Sequence, residues 1–263
     1  MSDANDATLV LFGRAPTSPK CKTRLARGLN DRTLASRAYD AMVRCILWQT
    51  GNINATATTF YCASEDDRVA CAALLRTDAA WGIAARREIP CETQIQSSDV
   101  GTRVADAFER ASRKRAESSA VDPESVVVCV AGTDVPMFSA RHFERARDLA
   151  MVEDGAVAFG PCGDGGFYCV AVRATKSNID TLRAAFGDVP WSTSRTLESC
   201  VEACRARGLR PTTDMETLAD VDEASDLARV ARESLETPNL DEYSRECFDI
   251  MRACVDNSKY SDS

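Results

Sequence analysis

An α/β fold, with helices on both faces of a mostly parallel sheet, is predicted by three observations. Strand-like and helix-like segments alternate along the chain, the pattern of crossover units rather than of bundles or sandwiches. The run Val126–Ala131 is apolar and mostly β-branched, and it ends abruptly in Gly132-Thr133-Asp134. Such a run reads as a strand buried on both faces, and an aspartate released at its carboxyl end stands where open α/β sheets bind ligands. Thirty residues on, Gly160-Pro-Cys-Gly-Asp-Gly-Gly166 packs four glycines around Asp164, between two further strand-like runs.

The elements follow in order. Thr8–Gly13 reads as the first strand. Asp31–Gln49 is a helix whose stripe is Leu34, Ala38, Ala41, Met42, Cys45 and Ile46. Ala57–Cys62 is a strand, Glu65–Arg76 a helix, and Gly82–Ile89 a further strand. Val100–Glu117 is amphipathic, with Val104, Ala107, Phe108 and Ala111 at helical spacing, and Glu117–Pro123 is a polar connector. After the Val126–Ala131 strand, Ser139 caps a helix to Ala150. Gly155–Gly160 and Phe167–Val172 are strands. Ser192–Arg207 is a helix stopped by Gly208, Arg210–Thr213 a short strand, and Glu223–Glu233 a helix. Residues 1–235 are expected to form the main domain. Residues 236–263 carry seven acidic and three basic residues, and Tyr243, Cys247, Ile250, Met251 and Cys254 make an apolar stripe. That stripe predicts a helix docking on the main domain, followed by a frayed end.

The net charge of −8 argues against a general nucleic-acid binder, and no run approaches the length of a membrane span. The acidic start and an early strand argue against a leader and for the cytoplasm. Twelve scattered cysteines with no Cys-x-x-Cys, and a single histidine, speak against structural zinc and for reduced, mostly buried thiols. His142 lies early in a helix, away from any serine or cysteine elbow, and reads as structural.

Against the overall charge, residues 7–30 hold Arg14, Lys20, Lys22, Arg24 and Arg27 and no acid. This basic loop follows the first strand, at the phosphate end of such folds. Asp134 has no acidic neighbour within two residues, so a second metal ligand must come from elsewhere. Asp220 and Asp222 alternate in Leu218–Leu227 and can present both carboxylates on one face; the other reading is helix capping, in which Asp222 or Glu223 begins the following helix. Asp164 stands between a hairpin-turn reading and a site reading.

Through these motifs the chain resembles the glycosyltransferase-A-like nucleotidyltransferase superfamily. It is most similar to a bacterial group labelled radical SAM/selenodomain-associated transferase, a relative of the molybdenum-cofactor and 2-phospholactate guanylyltransferases. The resemblance covers roughly residues 8–232. It rests on Ala15-Pro16 with Cys21-Lys-Thr-Arg-Leu25, Asp99-Val-Gly-Thr-Arg103, Gly132-Thr-Asp-Val-Pro136, Gly160-Pro161 with Asp164–Tyr168, Pro190–Thr193, and Asp220–Leu227. Ser18-Pro19 replaces the usual Pro-Gly, Val135 a cysteine, and Phe167 a tyrosine. The resemblance implies a Rossmann-like three-layer αβα sandwich with a mostly parallel mixed sheet. It implies a metal-dependent transferase that takes a nucleotide or nucleotide-sugar donor and a small-molecule acceptor. Asp134, Asp164 and Lys22 would be catalytic. Arg14, Lys22, Arg24, Asp99, Arg103, Gly165 and Gly166 would bind the nucleotide. Asp134, Asp220 and Asp222 would hold Mg2+ or Mn2+. The alternative is a non-catalytic nucleotide-binding or regulatory module of the same fold. Oligomeric state stays open.

Overall fold

The computed structural model describes residues 6–51, 53, 56–119 and 122–258. Among them one seven-stranded sheet is built from β1 (Ala7–Gly13), β2 (Thr56–Cys62), β3 (Cys91–Thr93), β4 (Val127–Gly132), β5 (Ala156–Pro161), β6 (Phe167–Arg173) and β7 (Arg210–Thr212), in the order β3-β2-β1-β4-β6-β5-β7. Every neighbouring pair is parallel except those of β6, which runs antiparallel to both β4 and β5. The sheet is therefore mixed but mostly parallel.

Central strands need apolar side chains on both faces, and these have them. Leu9, Leu11, Cys129 and Ala131 face one layer, and Val10, Val128 and Val130 face the other; all are buried. The first layer holds α2 (Arg32–Thr50), α4 (Ala79–Ala85), α6 (Ala140–Met151), α9 (Ala224–Glu236) and α10 (Glu242–Ser258), with α1 (Thr23–Gly28) and α3 (Glu65–Thr77) at its edge. The second holds α5 (Val100–Ser119), α7 (Lys176–Phe186) and α8 (Thr196–Ala206). On α5 the buried stripe is Val104, Ala107, Phe108 and Ala111, as its spacing predicts. The result is the three-layer αβα sandwich expected.

Helix α10 docks on α2 and α9. Its Cys247, Phe248, Met251 and Cys254 are completely buried, and Trp48 of α2 stacks on Tyr243 at 4.5 Å between ring centroids. All twelve cysteines are free thiols, eleven of them buried. Among the described residues no helix is long and apolar enough to cross a membrane.

Three local expectations are corrected. Gly82–Ile89 is not a strand: its first half lies in α4, which Asp78 caps by accepting from the Ala80 and Trp81 amides. The edge strand comes later, at Cys91. The helix expected from Ser192 starts at Thr196, because Thr193 and Thr196 close a turn on Pro190 instead. Glu117–Ser119 continue α5 rather than opening the connector, whose residues 120–121 lie outside the described residues, as do 259–263 beyond α10. Helices α1 and α7 are additional.

Candidate active site

The register of β1 against β4 pairs Phe12 with Gly132, so the basic loop after Gly13 and the segment Thr133-Asp134 leave the sheet side by side. Two hydrogen bonds hold Thr133 in place: its Oγ1 lies 2.6 Å from the buried Tyr39 hydroxyl of α2 and donates to the Phe12 carbonyl at 3.0 Å. The Tyr39 hydroxyl in turn accepts from the Arg14 amide at 3.2 Å. Gly132 is needed for close approach, because a Cβ there would sit 2.6 Å from Asp134 Oδ1.

The segment 218–222 is laid across the ends of β4 and β5 by its backbone. The Leu218 amide donates to the Pro161 carbonyl at 3.1 Å and the Val221 amide to the Asp134 carbonyl at 2.9 Å. Val221 is buried between the two aspartates, which leaves both carboxylates outside the core, Asp222 in the cleft and Asp220 beside the β5–β6 hairpin. They take different partners. Lys22 Nζ donates to Asp222 Oδ1 at 2.8 Å and to Asp134 Oδ2 at 3.2 Å, and Arg24 also pairs with Asp222. Burial pulls the Lys22 ammonium down, but the two carboxylates outweigh it and hold it above its ordinary value. Burial likewise opposes charge on Asp222, and Lys22 and Arg24 nonetheless keep its carboxyl below the usual range. Of the two capping candidates it is Glu223 that serves as the N-cap of α9, which leaves the Asp222 carboxylate to the cleft. Lys22 itself sits in the left-handed region at φ 43°, a strained conformation of the kind that collects at functional sites.

Asp220 faces the other way, toward the β5–β6 hairpin. Cys162, Asp164 and Asp220 each offer one ligand atom, and these atoms all lie within 4.8 Å of one another. Burial first, then the charges of Asp164, Asp134 and Asp222, push the Asp220 carboxyl up from 3.8 to about 6. Burial and the charges of Asp220, Asp134 and Asp164 push the Cys162 thiol up too. Four carboxylates are thus crowded together, with Lys22 and Arg24 compensating only one side. The hairpin-turn reading of Asp164 holds, since its Oδ1 accepts from the Gly166 amide at 2.8 Å in the turn. Gly165 seats that turn: it has φ 89°, and a Cβ there would lie 1.9 Å from the Ser194 carbonyl oxygen.

The cleft holds about 320 Å³, lined by Arg14, Lys20, Lys22, Arg24 and Arg103 opposite Asp134 and Asp222. Arg14 is braced by Asp67 at 3.2 Å, and Arg103 by Gln94 at 3.1 Å. Burial, and Arg14 beside it, lower the Arg103 guanidinium from its ordinary value. Asp99, Gly165 and Gly166 do not line this cavity. Asp99 caps α5, accepting from the Gly101 and Thr102 amides at 3.2 and 2.6 Å. His142 is structural, with Nδ1 accepting from the Ser139 amide at 3.1 Å in a capping box. Sequence reasoning missed Cys162, Gln94, Tyr39 and Asp67. Cys162 had a signal, standing two residues before Asp164 in the glycine-rich string.

Solved structures share this architecture. One is a protein of Desulfovibrio desulfuricans G20, provisionally named a nucleotide-diphospho-sugar transferase, with 21% identity and a TM-score of 0.70 over 96% of this chain and 97% of that one. Another is 4-diphosphocytidyl-2C-methyl-D-erythritol synthase from Anaerococcus prevotii DSM 20548, with 8% identity and a TM-score of 0.54 over 89% of this chain and all of that one. The shared architecture is the αβα sandwich with a mostly parallel mixed sheet that the resemblance implied. No curated protein matches the chain. A family model described as "Uncharacterized protein conserved in bacteria (DUF2064)" matches residues 55–193, more than half of the chain, and the protein belongs to that family.

Proposed function

We propose that the protein is a metal-dependent transferase acting on a nucleotide or nucleotide-sugar donor, passing a nucleotidyl or glycosyl group to a small acceptor. One observation carries this reading: Arg14, Lys20, Lys22, Arg24 and Arg103 line one cleft at the carboxyl ends of β1 and β4 together with Asp134 and Asp222, which Lys22 bridges. Both names borne by the similar folds are consistent with it.

The donor set fits a divalent cation. Asp164 and Asp220 lie within coordinating reach of one ion, and burial together with the charges of Asp164, Asp134 and Asp222 disfavours a bare carboxylate at Asp220. Bound at Asp164 and Asp220, Mg2+ or Mn2+ would supply charge neutralisation at a phosphoryl oxygen. The chain's own residues do the rest. Arg14, Lys20, Lys22 and Arg24 bind and orient the phosphates, and Arg103 closes the far wall. Asp134 and Asp222 hold Lys22 Nζ at a fixed position, so its charge is preorganised. Group transfer of this kind depends on positioning and electrostatics and needs no protein nucleophile.

The test is thermal unfolding with Mn2+ and a panel of nucleotides, followed by mass spectrometry with candidate acceptors. Nucleotide is expected to raise the melting temperature only when metal is present. The absence of any nucleotide-dependent shift sinks the proposal.

A further inference from the structure

We infer that Cys162 is a third ligand to the cation, as a thiolate beside Asp164 and Asp220, so that the site prefers a borderline ion such as Fe2+, Co2+ or Zn2+ to Mg2+. This rests on the proposed function only in taking those carboxylates as cation ligands.

The placement comes from two backbone devices. An isolated parallel bridge joins Cys162 to Leu218, which brings the Asp220 segment alongside the start of the hairpin loop. Within the loop, the Cys162 amide donates to the Gly166 carbonyl at 2.9 Å, and the Gly165 amide to the Cys162 carbonyl at 3.3 Å. The turn is closed, and residues 162 and 164 are presented toward Asp220. The donor atoms of all three then fall within 4.8 Å of one another.

The thiol itself is the second observation. Cys162 is only 8% exposed, and its sulfur makes no hydrogen bond among the described residues. Other buried cysteines have sulfur partners or apolar surroundings: Cys45 donates to the Pro136 carbonyl, and Cys200 and Cys204 sit in the apolar layer under α8. Cys162 borders the other apolar layer and has, in addition, the carboxylates of Asp164 and Asp220 beside it. A plain space-filler there needs no sulfur, and an unpartnered thiol beside anions gains nothing from them. A cation accounts for the arrangement.

The chemistry then sets the preference. Mg2+ demands oxygen ligands in near-ideal octahedral geometry, whereas thiolate favours softer ions. One sulfur and two carboxylates make a mixed set that suits the middle of the series. On binding, the S–H bond breaks, a metal–sulfur bond forms, and the proton passes to water. No electron changes hands.

The experiment uses the full chain, reduced and stripped of metal, titrated with Co2+ at neutral pH. A thiolate-to-cobalt charge-transfer band in the near ultraviolet is expected. Zn2+ should abolish it at stoichiometric concentration, and Mg2+ only in large excess. Cys162→Ser is expected to lose the band and at least about tenfold in Co2+ affinity, while Mg2+ affinity stays within about threefold. Calorimetry in buffers of different ionisation enthalpy should count about one proton fewer released by the variant. Far-ultraviolet circular dichroism checks that the variant folds, with Cys162→Ala as a second variant. Cobalt bound without the band, a band that survives Cys162→Ser, or Mg2+ bound as tightly as Zn2+ each overturns the inference. An intact band with no effect of any nucleotide would sink the transferase reading instead and leave this one standing.

Discussion

Replacing Asp220 with asparagine should stabilise the metal-free protein at neutral pH while abolishing its response to metal. The folded carboxyl is raised from 3.8 to about 6 by burial and three neighbouring acids. Every tenfold change in proton affinity corresponds to about 1.4 kcal/mol, so the full penalty is about 3 kcal/mol. Asp220 is only half-buried, and solvent screening reduces this to about 1–2 kcal/mol. The sign follows from proton linkage. Below about pH 4 the group is protonated folded and unfolded, and it adds nothing to the balance. Between about pH 4 and pH 6 the unfolded chain releases a proton that the folded chain retains, so wild-type stability falls as pH rises. Above about pH 6 the whole penalty is present. Asparagine never ionises, so the variant should match the wild type near pH 4 and exceed it by about 1–2 kcal/mol at neutral pH, roughly 2–8 °C in melting temperature at this chain length. The assay is urea or thermal unfolding across this pH range in chelator, repeated with Mn2+. Metal should stabilise the wild type and leave the variant unmoved. A variant less stable than wild type at neutral pH, or a gap that does not change with pH, refutes the electrostatic account of the cleft.

Lys22→Ala should cost about 1–3 kcal/mol, less than a fully buried pair because Asp134 and Asp222 keep some solvent, and should weaken nucleotide binding at least tenfold by calorimetry; unchanged affinity would remove Lys22 from the phosphate site. Gly165→Ala combines a positive φ with a clash on Ser194 and should lose at least about 2 kcal/mol of stability in chemical denaturation. Ser139→Ala should cost about 1 kcal/mol through the cap of α6 and leave nucleotide binding untouched, which separates His142 and its capping partner from the cleft. Removing residues 241–263 should produce an aggregating chain, because burying Phe248 and Met251 alone contributes about 3–6 kcal/mol; a monodisperse, folded product by gel filtration and circular dichroism would contradict the docking of α10.

The alternation of strands and helices, the central β4 run and the basic loop can all be read from the chain, because hydrophobic period and local charge are properties of neighbouring residues. The strand reading of residues 82–89 fails for a physical reason: a short apolar run cannot be told as helix or strand by period alone, and the deciding cap, Asp78, lies outside the run. Helix α7 had the signal, with Ile179, Leu182, Ala185 and Phe186 all on the buried side. The convergence of Lys22 with Asp222, 200 residues apart, had none, since only the folded path brings them together. The splitting of the acids between Lys22 on one side and Cys162 on the other is equally beyond a linear pattern. It depends on two backbone hydrogen bonds that place Val221 in the core and send its neighbours apart.

The pairing of α10 with α2 has a consequence for how the chain is made. Helix α2 is made about 200 residues before α10, the helix that covers its apolar flank. At ordinary elongation rates that interval is roughly 10–40 s, long compared with helix formation or collapse. Throughout it the nascent polypeptide carries an unshielded apolar ridge on α2, and the first layer can close only once α10 has been made.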